Sequence, residues 1–168
     1  MNVAIFLDLS DLYHRVNRHH GAKLNFTSVF ERLKEHGFVV TAHAYGIQRG
    51  HEAENFVTCL QRIGFQTFFK RPEIIKCGDR EIKKSNWELA IGLAAISMLD
   101  SVDAVIVGSG SNTMAKLAEY VKARGKQFIV FGCGIGRDLQ DVASSIIKIE
   151  PDMLEEPREE AEEEELVD

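Results

Sequence analysis

Asp8 stands at the end of an apolar run, Val3-Ala-Ile-Phe-Leu7, and Asp11 follows three residues later. A second apolar run, Val105-Ile-Val107, ends in the small polar turn Gly108-Ser-Gly-Ser-Asn-Thr113, which opens a helical pattern. Strands that stop on polar residues and feed helices put those residues at the carboxyl edge of a parallel sheet, where α/β proteins do their chemistry. The two strand ends are expected to face one crevice. Carboxylates on the first side suit a hard divalent cation, so Asp8 and Asp11 are the candidate catalytic and metal-binding residues, for one weakly held Mg²⁺ or Mn²⁺. The second side offers hydroxyls and the N–H groups of a helix start, which suit an anion such as phosphate. Ser109, Gly110, Ser111, Asn112 and Thr113, with Lys83, Lys84, Asn86 and Arg137, are therefore the candidate phosphate- or RNA-binding residues. Simple helix capping by Ser111, Asn112 or Thr113 accounts for the same turn and is compatible with ligand binding.

Hydrolysis of a phosphodiester by two ions needs carboxylates that offset about four positive charges at close range. Asp8 and Asp11 supply two negative charges between them. Glu88 lies two residues after Asn86, and two residues turn about 200° round a helix, so Glu88 is expected to point away from the Asn86 side.

The elements that must position these residues alternate along the chain. Strands are expected at about 3–7, 38–47, 65–70, 103–107, 127–131 and 145–149, and helices at about 11–19, 27–36, 51–63, 86–99, 113–124 and 137–143. Such alternation marks an α/β three-layer sandwich with a mostly parallel central sheet of about six strands. Gly37, Gly64 and Gly125 each follow a helix and precede a strand, as helix stops do. The segment 71–85 carries Gly78-Asp79 between two short alternating runs and is expected to form a small hairpin or an ordered loop. The helix at 86–99 is almost wholly apolar or small, which predicts burial on more than one side.

With 168 residues and 45% hydrophobic content, the chain is long enough for one domain with a buried core. Net charge is −6, but residues 152–168 hold ten acids and one base, whereas residues 1–151 hold nineteen Lys and Arg against sixteen Asp and Glu. The expected division is a mildly basic folded domain over 1–150 and a disordered acidic tail over 151–168. That tail is a candidate handle for a basic protein partner. Cys59, Cys77 and Cys133 lie far apart, without disulfide or zinc spacing, which fits a reducing cytoplasmic setting. No apolar run is long enough for a signal peptide or a membrane span, so no membrane role is expected. Homo-oligomerisation is left open by the composition.

Other motifs carry less. His14, His19 and His20 are not spaced to share a helix face and are expected on the surface. Gly132-Cys-Gly-Ile-Gly136 lacks the Gly-x-Gly-x-x-Gly spacing of a dinucleotide turn, so no organic cofactor is expected, and the segment reads as a flexible loop over the crevice. Cys133 reads as a plain small residue, reactive only where a helix end lowers its pKa. Trp87 and Phe56 are expected in the core or an interface.

The blocks Phe6-Leu-Asp8-x-x-Asp11-Leu-Tyr13, Lys83-Lys-Ser-Asn86-Trp87, Val105-Ile-Val-x-Ser109-Gly110 and Phe128-Ile-Val-Phe-Gly132 together resemble the NYN branch of the PIN-like nuclease superfamily, over about residues 3–149. The resemblance implies a PIN-like α/β fold of six strands and acids gathered round one or two magnesium ions, in domains that cleave or bind RNA. Asp8 matches the first family aspartate. Position 11, usually Asn in the family, is Asp. The aspartate that opens the central helix is Asn86, another expected near position 92 is Gly92, and the Ser-Gly-Asp-x-Asp turn reads Ser109-Gly-Ser-Asn-Thr113. The resemblance therefore points to a degenerate ribonuclease relative that binds RNA or a protein partner. Two alternatives stand beside it: a Mg²⁺- or Mn²⁺-dependent endoribonuclease using Asp8 and Asp11, and a regulatory interaction protein with no nucleic-acid role.

Overall fold

Val3 to Leu7 are completely buried, as only a central strand covered on both faces can be. The computed structural model describes residues 1–48, 50, 52–84 and 86–156. In chain order the elements are β1 (Asn2–Asp8), α1 (Leu9–His20), α2 (Phe26–Lys34), β2 (Phe38–Ile47), α3 (Glu52–Ile63), β3 (Gln66–Lys70), β4 (Glu73–Cys77), β5 (Arg80–Lys84), α4 (Glu88–Met98), β6 (Ala104–Gly108), α5 (Met114–Ala123), β7 (Gln127–Gly132), α6 (Arg137–Val142) and β8 (Ser145–Lys148). Six strands form one sheet in the order β3-β2-β1-β6-β7-β8, every pair parallel. The α/β sandwich with about six strands is therefore the observed architecture.

Two separate cores lie on the two faces of this sheet. Leu12 and Val16 of α1, Val29 and Leu33 of α2 and Leu60 of α3 pack on one face with Val3, Ile5 and Leu7. Ile91 and Ala95 of α4, Met114, Ala118 and Val121 of α5 and Leu139 of α6 pack on the other with Ala4 and Phe6. Alternate residues of β1 thus feed opposite cores, the period-two geometry of a strand. Connections run first to one side of β1 and then to the other, so the sheet reverses its winding between β1 and β6. At such a reversal the loops after the two strands diverge and leave a crevice.

Two expectations need correction, and a third is met. The apolar helix α4 is buried on one side only: Ile91 and Ala95 are fully covered, but Leu89 is 75% and Leu93 61% exposed. Its residues are apolar all round, whereas the sheet and α5 contact only one stripe. The hairpin expected around Gly78-Asp79 does form, as the antiparallel pair β4–β5 closed from Cys77 to Arg80. It stands apart from the main sheet, with every residue of β4 exposed. The second correction concerns the segment after Ile149. Pro151–Met153 make a 3-10 turn, Met153 is fully buried, Leu154 bridges Leu24, and the Glu155 N–H donates to the Lys23 carbonyl at 2.8 Å. Arg32 pairs with Glu150 and Asp152 at 3.0 and 3.1 Å. Met153 and Leu154 are apolar residues inside a charged stretch, and their burial beside α2 offsets the entropy cost of ordering it. The ordered domain thus continues past the expected boundary at 150. Residues 157–168, the bulk of the expected acidic tail, lie outside the described residues.

No helix among the described residues is long and apolar enough to cross a membrane. Met153→Ala should destabilise the protein by about 2–4 kcal/mol in urea unfolding, as for a methionine in any packed core. A loss below about 0.5 kcal/mol, the level of an exposed site, would return this segment to the tail.

Candidate functional site

The crevice between β1 and β6 is organised by one carboxylate. Helix α1 begins immediately after β1, with Asp8 as its N-cap, accepting from the Asp11 N–H at 3.1 Å. That start puts Asp11 in the first turn, facing the end of β6. Asp11 Oδ2 there accepts from the Gly110 N–H at 2.8 Å and from the Ser109 hydroxyl at 3.1 Å. Arg15, one helical turn further on, donates from Nε to both oxygens of Asp11, at 2.9 and 2.8 Å, and from Nη1 to the carbonyl of Gly134. A single i,i+4 pair therefore ties α1 to the β6–α5 turn and to the β7–α6 loop. Gly110 is glycine for a steric reason: a Cβ there would stand 2.7 Å from Arg15 Nε.

The loop 132–136, expected to be flexible, is fastened to this turn. The Gly136 N–H donates to the Gly110 carbonyl at 2.9 Å, and Asn112 Oδ1 reaches the Leu139 N–H at 3.5 Å. A side chain at 136 would collide with Asn112, so only glycine admits this approach.

Few residues of the expected phosphate-binding turn are open for a ligand. Ser109 is fully buried, giving its hydroxyl to Asp11 and accepting the Ser111 N–H at 3.2 Å. The Ser111 hydroxyl donates to Glu88 Oε1 at 2.8 Å and lies 2.8 Å from Thr113 Oγ1. Thr113 sits at the N-cap of α5 without a side-chain cap bond, so capping does not explain these residues either. The N–H groups of Asn112 and Thr113 have no partner among the described residues. Arg137 is exposed at the first position of α6, directly after Gly136. Asn86 is exposed in the loop before α4, where its carbonyl accepts Lys70 Nζ at 2.7 Å. The side chains of Lys83 and Lys84 lie outside the described part of the chain.

Glu88 corrects the sequence reading. It was expected to turn away from the crevice, yet it faces Ser111 across it. The helical step does not apply, because α4 starts at Glu88 and Asn86 precedes the helix. The crevice is therefore not free of acid on its β6 side, despite the hydroxyls at 111 and 113. Arg15 was also missed, although the Asp11–Arg15 spacing on one helix was a usable signal. The buried position of Asp8 pushes its pKa up to about 6, and the charges of Asp11 and Glu88 add to the rise, against the lowering effect of the Asp11 and Ser10 N–H groups.

His14, His19 and His20 are all exposed. Burial pushes the Cys133 thiol up, away from the reactive thiolate. Trp87 packs partly against the core of the α4 face, its indole N–H on the Gly46 carbonyl at 2.9 Å and Lys70 Nζ 4.4 Å over its ring.

The family model for the NYN domain matches residues 2–150. Among solved structures, the chain is similar to a protein of unknown function from Vibrio parahaemolyticus, at 26% identity and a TM-score of 0.81, over 91% of this chain and 95% of that one. No curated protein matches the chain.

An acid whose pKa is raised in the folded state favours folding most fully while protonated. Its contribution is therefore present below the ordinary value of 3.8 and is lost as pH climbs through about 6. Asp8→Asn, which keeps a capping oxygen, should stabilise the protein by about 3 kcal/mol at pH 8 and by almost nothing at pH 4. Denaturant unfolding at the two pH values measures this. Equal effects at both would show that the burial of charge is not what distinguishes Asp8.

Proposed function

The chain belongs to the NYN domain family, and on that premise we propose that it is an RNA-binding domain whose nuclease centre is degenerate. Nucleases of this family generally depend on divalent metal ions, and a pair of such ions does not fit the residues present. Asp11 is held by Arg15, Ser109 and Gly110. Positions 86, 111 and 113 carry no acid, and among the described residues no three carboxylate, imidazole or thiol groups are placed to hold a metal ion together. The pairing of Arg15 with Asp11 is the observation that carries this reading, because a built-in guanidinium already neutralises an acid that would otherwise ligate.

Glu88 and Asp8 disfavour an anion deep in the crevice. A phosphodiester is accordingly placed at its edge, where Arg137 and the free N–H groups of Asn112 and Thr113 meet it. Lys83 and Lys84 add positive charge to the chain just before α4 and are retained in this proposal as electrostatic contributors.

A Mg²⁺- or Mn²⁺-dependent endoribonuclease working through Asp8 and Asp11 is the second reading. It is favoured by the crowding of Asp8, Asp11 and Glu88, which leaves more negative charge in the crevice than Arg15 offsets. One solution experiment separates the two. Short single-stranded RNA should bind equally well with EDTA and with Mn²⁺, and should stay intact in both. Arg137→Ala should lower the dependence of log Kd on log salt by about one. Cleavage that requires Mn²⁺ and disappears in Asp8→Asn would replace the binding reading with the enzymatic one.

A further inference from the structure

A cavity of about 730 Å³ opens on the far side of α1 from the Arg15–Asp11 pair, between α1, α3 and the ends of β2 and β3. Its size lies within the range of ligand sites. Aromatic rings make its wall: Phe26 meets Phe56 edge-on at 5.6 Å between centroids, and Phe56 meets Phe69 edge-on at 6.4 Å. Phe56 is 38% and Tyr13 52% exposed, so two rings at the mouth remain partly open to solvent. The exposed lining is polar, with Asn55, Lys23 and Glu155 among its residues, the last two adjacent.

We propose that this cavity receives a base of the single-stranded RNA that the crevice holds, a proposal resting on the RNA-binding reading above. Continuity is the first reason. Leu9 and Ser10, which follow Asp8, form one lip of the cavity. Gly46 forms another while its carbonyl holds Trp87, the neighbour of Glu88. A strand passing over the N-terminus of α1 therefore runs from one site into the other. The chemistry of the lining is the second reason. Exposed aromatic rings stack with any base, since every base presents a π-face. The rim offers both donors and acceptors, which match the mixed edge of a base and would be left unsatisfied by a hydrocarbon chain.

The test compares a labelled pentanucleotide RNA with the same ribose–phosphate chain lacking its bases. The wild-type protein should bind the RNA about tenfold more tightly than the abasic strand. In Phe56→Ala this gap should close, with the abasic affinity unchanged. On the wild type, the ring signals of Phe56 and Phe69 in the NMR spectrum should shift with RNA and not with the abasic strand, a readout that holds even if the variant fails to fold. Equal affinity for the two strands would overturn the base pocket and leave the RNA-binding reading intact. A gap that survives in a folded Phe56→Ala, or ring signals that ignore the RNA, would likewise place the bases elsewhere. Binding of neither strand would remove both proposals.

Discussion

The Arg15–Asp11 pair is the constraint on which the crevice depends. A carboxylate at the end of a central strand is costly to ionise unless cations or N–H donors surround it. Asp11, in the first turn of the helix that follows β1, is held by a guanidinium from its own helix, a hydroxyl and a backbone N–H. Arg15 then extends to the Gly134 carbonyl, so that α1 and two loops from different parts of the sheet share one charged centre. The glycine at 110 follows from it, because the backbone must come close to Arg15 for these bonds to form, whereas Gly136 makes room for Asn112.

Asp8 shows the opposite solution. It has no guanidinium, is almost completely buried, and lies in the fields of Asp11 and Glu88, so its ionised form is disfavoured. Two acids three residues apart therefore differ in surroundings, because one faces a guanidinium and the other does not. Glu88 adds to the contrast, since it approaches the crevice from the opposite face of the sheet, at the start of a helix that otherwise carries no charge. The site is best described as an electrostatic frame around a sheet reversal.

The fold itself was largely legible in the chain. Apolar runs ending in polar residues, and helical patterns between them, marked all six strands of the sheet to within a residue or two of their ends. Local patterns suffice there most fully for β1, β6 and β7, because a central strand covered on both faces must be apolar on both. The exposed face of α4 and the ordered stretch 151–156 were not legible. An apolar helix says that it can be buried, not how many neighbours reach it. A charged segment hides one or two anchoring residues such as Met153.

At the site, sequence alone determined which strand ends would meet, that Asp8 and Asp11 would lie at the crevice, and that the turn 109–113 carries hydroxyls and no acid. Those features depend on chain order and side-chain type, which local chemistry expresses directly. Only the tertiary structure decided what each group faces. It turned Asp11 towards Arg15, brought Glu88 to Ser111, buried Ser109, and opened an aromatic cavity beside α1. The orientation of a side chain is set by where its helix begins and by what the neighbouring strands carry, and both are properties of the packed sheet.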